Sequence, residues 1–247
     1  MRYLTYGNKS GKTVMLIHGM AATALRCYEP LLGALKDCHV VLAEVDGHIP
    51  EDPSALTSLS DACDEIERYI RDELDNEVWC LGGFSMGATM AAEIAGRGRV
   101  KLSKLFLDVA FLIDMGPILS RVYTGMFCFF IEWIKKGRKV PGPLLDRVMG
   151  KGNRSIIDML YHGVRPETIR NVCRYVYRYH IPKGIKDFAG DVFFLYGSHE
   201  PYPRRSAALL ASYLPGLRQK EIQDMGHGQF LMSRPEDYAK LLLGFLQ

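Results

Sequence analysis

The chain has 247 residues, 48% of them apolar and 24% charged, and a formal net charge of +3. These values are ordinary for a globular protein and long enough for one large α/β domain with an inserted subdomain. No basic segment followed by an apolar run opens the sequence, and the longest apolar stretch, Val109 to Ile134, is broken by Asp114, Pro117, Arg121 and Glu132, so neither a secretory signal nor a membrane span is expected. The six cysteines are scattered without a Cys-x-x-Cys pair, which fits reduced, partly buried thiols in a cytoplasmic protein better than a disulfide framework or a metal site.

In chain order, Thr13 to Ile17 reads as a buried strand ending in His18-Gly19-Met20. Leu25 to Lys36 has helical spacing, and His39 to Val45 is a second strand leading into Asp46-Gly47-His48. Ser54 to Leu74 carries an apolar stripe of Leu56, Leu59, Cys63, Ile66, Ile70 and Leu74, which predicts a long amphipathic helix. Glu77 to Leu81 is a strand, Met86 to Ala95 a helix, Leu102 to Leu107 a strand. After a middle segment, Asp191 to Tyr196 is a strand, Tyr202 to Tyr213 a helix, Leu217 to Ile222 a strand and Pro235 to Phe245 a helix. Strands alternating with helices predict a mostly parallel sheet covered on both faces. From about Gly116 to Lys186 the patterning is helical with no convincing strand, so helices are expected to be inserted there.

The most informative local feature is Gly83-Phe84-Ser85-Met86-Gly87, which stands between an apolar strand and a run of small helix formers. A serine on a sharp strand-to-helix turn holds its hydroxyl above the sheet edge, and the helix behind it points its positive end at the same spot. Such a serine needs a base, and the base needs an orienting carboxylate. His227, flanked by Gly226 and Gly228 just after the last expected strand, is the best base. Glu200, three residues beyond Gly197, is the preferred acid, and Asp108 at the end of another strand is the reserve. The oxyanion donors are expected to be the backbone N–H groups of Met86 and Met20. His18 is expected to brace its loop, and His48, His162, His180 and His199 are set aside as structural or peripheral. Histidines and carboxylates do not fall at ligand spacing, and phosphate-cradling glycine motifs are absent, so neither metal nor cofactor is expected.

On His18-Gly19, Asp46-Gly47-His48, Gly83 to Gly87, Gly197 to Glu200 and Gly226-His227-Gly228, in that order, the chain resembles the α/β-hydrolase family over nearly its full length. The resemblance implies the α/β-hydrolase fold, with a core of residues 1–114 and 187–247, and a helical cap of residues 115–186 inserted between the sixth and seventh strands. It also implies Ser85 as nucleophile, Glu200 as acid and His227 as base. Two departures stand out: Asp46 to Pro50 lacks the proline and second glycine usual in that loop, and the acid is Glu in place of the commoner Asp.

Residues 116–186 hold 14 Lys or Arg against 4 Asp or Glu, a balance of +10, while the remainder carries −7. The aromatic stretch around Phe130 and Trp133 reads either as packing within the cap or as a wall of a substrate pocket. Arg170, Arg174 and Arg178 recur every four residues. They read either as a solvated face or as a grip on an anionic substrate, with Arg174 and Arg178 the substrate-binding candidates. A nucleic-acid partner has no supporting module. The expected activity is hydrolysis of small carboxylic esters through an acyl-enzyme. The alternatives are C–C bond hydrolysis or lysis of an anionic metabolite by the same triad, and a ligand-binding or signalling protein of this fold.

Overall fold

The computed structural model describes residues 1–52, 54–138, 142–143, 160–161 and 163–247, so His162 lies outside the described residues. Seven strands form one sheet: β1 (Arg2–Gly7), β2 (Thr13–Ile17), β3 (His39–Glu44), β4 (Glu77–Phe84), β5 (Lys101–Asp108), β6 (Asp191–Gly197) and β7 (Arg218–Ile222). Their order is β1-β3-β2-β4-β5-β6-β7, with β1 antiparallel to β3 and every other pairing parallel. Helices of the described residues include α1 (Ala24–Leu32), α2 (Leu59–Glu73), α3 (Met86–Arg97), α4 (Pro117–Lys135), α5 (Pro166–Val176), α6 (Pro201–Tyr213), α7 (Gln229–Ser233) and α8 (Pro235–Leu246).

The central strands are apolar end to end because helices cover both faces of the sheet. In β2 and β3, Val14 to Ile17 and Val40 to Glu44 are buried without alternation, which is the signature of a parallel sheet with no wet side. β1 was not among the expected strands. It pairs at an edge, is only half-buried, and is held by Tyr3 stacked on Tyr69 of α2 with ring centroids 3.6 Å apart.

The expected helix from Ser54 begins only at Leu59. Ser58 is extended and its hydroxyl accepts from Asp61 N–H as an N-cap. The residues before it are drawn towards α5: Leu56 N–H donates to Thr168 Oγ1 (3.1 Å), and Asn171 Nδ2 donates to the Leu56 carbonyl (2.9 Å). The helices α4 and α5 fall between β5 and β6, one strand earlier than the resemblance implied, because the sheet has a single strand ahead of β2. Among the described residues, no helix is long and apolar enough to cross a membrane.

The loops at the carboxyl ends of β2, β4, β5, β6 and β7 gather at one edge of the sheet, where parallel α/β architectures build their sites. Four non-glycine residues with positive φ stand in these loops: Ala21, Ser85, Val109 and Asp224. A β-branched residue at φ 51°, as in Val109, is costly and persists only where its surroundings hold it. Here its N–H is anchored to the Leu195 carbonyl at 2.9 Å.

Candidate active site

Ser85 joins β4 directly to α3 with φ 55° and ψ −110°, outside the ordinary regions for an L residue. That conformation costs about 1–3 kcal/mol and has to be enforced by its neighbours. Its N–H donates to the Asp108 carbonyl (2.8 Å), and its carbonyl accepts from Thr89 N–H (3.0 Å). The turn is tight enough that a Cβ at Gly83 would strike the Gly87 backbone, and one at Gly87 would strike the Ile17 carbonyl. These two positions therefore require glycine for space, not for dihedral freedom.

Three side chains distant in sequence meet at this turn. Ser85 Oγ lies 2.9 Å from His227 Nε2, and His227 Nδ1 lies 2.6 Å from Glu200 Oε1. The carboxylate accepts at Nδ1, so that nitrogen carries the hydrogen. Nε2 is left with a lone pair facing the serine hydroxyl. Glu200 is buried, with 6% exposure, and its other oxygen accepts from Gly197 N–H at 3.0 Å. Both carboxylate oxygens are thus fixed. Asp108, the reserve acid, is also buried, but the Tyr238 hydroxyl donates to its side chain instead. Burial, reinforced by the nearby Glu200 charge, raises its pKa well above the usual carboxylate range and so favours its neutral form.

The two expected oxyanion donors have free backbone N–H groups. Met86 is the first residue of α3 and Met20 follows the β2 loop; neither N–H has a partner among the described residues. The β2 loop is braced by His18, which is fully buried. Its Nδ1–H donates to the Gly19 carbonyl (2.8 Å) and its Nε2 accepts Val45 N–H (3.0 Å).

Burial lowers the His18 pKa to about 4 and that of His48, whose ring centroid is 5.0 Å away, to about 3. Both rings are therefore neutral in the fold, while an unfolded chain protonates them near pH 6.5. Between pH 6.5 and about 4 the unfolded state binds more protons, so stability falls as pH falls, by about 1.4 kcal/mol per pH unit for each ring. Urea unfolding at pH 7, 6 and 5 measures the slope. His48→Asn is expected to reduce it by about one proton, and an unchanged slope would show that His48 is not the source.

Phe84 and Phe111 reach the imidazole, with ring centroids 5.3 and 5.8 Å from His227. Phe111 leads on to Tyr177, and Tyr177 to Tyr123 and then Tyr202. The expected wall residues Phe130 and Trp133 join a different cluster, each in ring contact with Phe129 on α4. Arg174 and Arg178 are exposed, and Arg178 is paired with Asp114 at 2.7 Å. Sequence reasoning missed Phe111. Its position is set by Thr89, whose Oγ1 accepts from Phe111 N–H at 3.1 Å, a contact with no local sequence signature. Among the described residues, no group of three His, Cys, Asp or Glu converges to hold a metal ion.

Comparison with known proteins agrees with this architecture. The chain belongs to the alpha/beta hydrolase family, whose model matches residues 14–241. Its fold is the α/β-hydrolase fold, a mostly parallel seven-stranded sheet flanked by helices. Among solved structures it is similar to an alpha/beta hydrolase family protein from Desulfitobacterium hafniense, at 23% identity over 100% of both chains with a TM-score of 0.87. It is also similar to a carboxylesterase structure from Nitrososphaera gargenis (17% identity, 99% of this chain and 93% of that one, TM-score 0.78). A third is the enol-lactonase from Burkholderia xenovorans LB400 (16% identity, 99% and 95%, TM-score 0.77). No curated protein matches the sequence.

Proposed function

We propose that this chain is a serine hydrolase of small carboxylic esters, with Ser85, His227 and Glu200 as its catalytic triad. The observation that carries the reading is the continuous relay from Glu200 through His227 to Ser85, at 2.6 and 2.9 Å. Ser85 Oγ attacks the ester carbonyl while its proton passes to His227 Nε2, and the alkoxide leaves with that proton. The resulting acyl-enzyme is opened by water that His227 deprotonates, which releases the acid and restores the serine. The tetrahedral oxyanion is held by the N–H groups of Met20 and Met86, and each such donor is worth about 100- to 1,000-fold in rate.

Short- to medium-chain acyl or aryl esters are the proposed substrates. The Phe84 and Phe111 rings supply an apolar wall beside the imidazole, with Tyr177 packed behind Phe111, and ester-cleaving enzymes stand among the structural neighbours. Residues 115–186 would act as the cap. Its helix α5 reaches the oxyanion loop, with Cys173 Sγ 3.7 Å from Met20 Sδ. A cytoplasmic setting is proposed from the six free thiols, four of them buried.

A fluorophosphonate probe tests the reading, because it reacts only with a serine that has an engaged base. Stoichiometric labelling of Ser85, with turnover of p-nitrophenyl acetate and butyrate, is the expected result. An unlabelled Ser85 in folded protein would leave a binding module as the better description.

A further inference from the structure

A groove of about 560 Å³ runs between α4 and α5, and its lining shares no residue with the Ser85 cluster. Four arginines open into it: Arg121 from α4, and Arg170, Arg174 and Arg178 from α5 and its end. Ser120, Thr124 and Cys128 line its other wall, and among the described residues no carboxylate does. Asp114 holds Arg178, whereas among the described residues no carboxylate is bonded to Arg121, Arg170 or Arg174. Three unneutralised guanidinium groups around one concavity repel one another, and the surrounding segment adds to that field with 14 cationic against 4 anionic residues. Successive arginines on a helix stand about 6 Å apart at four-residue spacing, and each presents a planar fork matched to phosphate oxygens.

We propose that this groove is a binding site for a phosphate-bearing anion of diphosphate size or larger, separate from the ester-cleaving centre. A single small anion would engage one fork. A chain of phosphates, or a phosphate head with a further charged group, engages two or three and relieves their repulsion. The exposed apolar residues Ile118, Val122 and Phe129 lie along the same helix, so the phosphate could be free in solution or borne by a lipid. The chemistry recognised is the same.

Cys128 supplies a reporter inside the groove. With Cys38 changed to serine, the remaining four thiols are buried, and labelling by 5,5′-dithiobis(2-nitrobenzoate) reads Cys128. Two probes are added in turn, inorganic diphosphate at 20 mM NaCl and vesicles of phosphatidylglycerol, with phosphatidylcholine vesicles as control. Protection by diphosphate, with a dissociation constant measurable by calorimetry, supports a soluble ligand. Protection by phosphatidylglycerol vesicles alone supports a lipid head group. The Arg121→Gln/Arg170→Gln variant is expected to weaken binding by at least about tenfold, and 0.5 M NaCl to weaken it in the wild type. No protection and no heat from either probe in the wild type, or unchanged affinity in the double variant, would overturn the proposal. Because the wild-type measurement needs neither turnover nor Ser85, its failure is independent of the hydrolase reading.

Discussion

Ser85→Ala is expected to lower kcat on p-nitrophenyl butyrate by about 10⁴- to 10⁶-fold, with the protein still folded. The size follows from what one atom does. Oγ, 2.9 Å from His227 Nε2, is the atom placed to become the nucleophile, and water entering its place is neither oriented nor bonded to the carbonyl carbon. The proposed Met20 and Met86 donors remain, so a residual rate above that in water is expected. The fold should survive because alanine keeps the Cβ, and the bonds that fix the turn are made by the backbone: N–H to the Asp108 carbonyl, and carbonyl to Thr89 N–H. His227→Ala is expected to cost a similar factor, and the double variant little more, since each change disables the same unit. Steady-state kinetics beside a thermal melt measures this. More than 1% of wild-type turnover remaining in Ser85→Ala would reject Ser85 as the nucleophile.

The elbow around Ser85 is legible in the amino-acid sequence because its requirements are local. A buried strand, a serine and a helix must follow one another without a spacer, and Gly83 and Gly87 must be bare because backbone occupies the space where their side chains would be. The parallel sheet is legible for a similar reason, since strands buried on both faces are apolar throughout. β1 is not, being a half-buried edge whose hold on the molecule comes from Tyr3 meeting Tyr69, 66 positions away. The Met20 and Met86 N–H groups leave no mark in side-chain identity, so only the loop geometry recommends them. The Arg170, Arg174, Arg178 spacing is visible in the sequence, but that Arg121 of another helix faces them across a groove is not. The choice of acid stays open in the sequence for a physical reason too. Glu200 and Asp108 both follow strand ends, and only tertiary geometry brings one of them to Nδ1.

That geometry leads to the second large effect, in which Glu200→Gln lowers kcat by about 10³- to 10⁴-fold while Asp108→Asn stays within about tenfold of wild type. Glu200 accepts two hydrogen bonds, from His227 Nδ1 and from Gly197 N–H, and a glutamine has a single oxygen for them. With that oxygen on Gly197 N–H, the amide NH₂ faces Nδ1 and the imidazole hydrogen must move to Nε2. The serine then meets a donor where it needs a base. Asp108 presents the opposite case, because burial favours the neutral form of its carboxyl, whose shape and lack of charge asparagine keeps. Its raised pKa means that the folded state keeps a proton the unfolded chain has released above pH 3.8, so native stability is lost as pH rises from there towards the folded value. Asp108→Asn removes that dependence. The difference in stability between variant and wild type should therefore shift in favour of the variant as pH rises above 3.8, by up to about 1.4 kcal/mol per pH unit. Chemical denaturation across that range, beside kcat for both variants, separates the roles of the two carboxyls. A larger loss of turnover in Asp108→Asn than in Glu200→Gln would transfer the orienting role to Asp108 and leave Glu200 as a cap for α6 and a partner for Gly197.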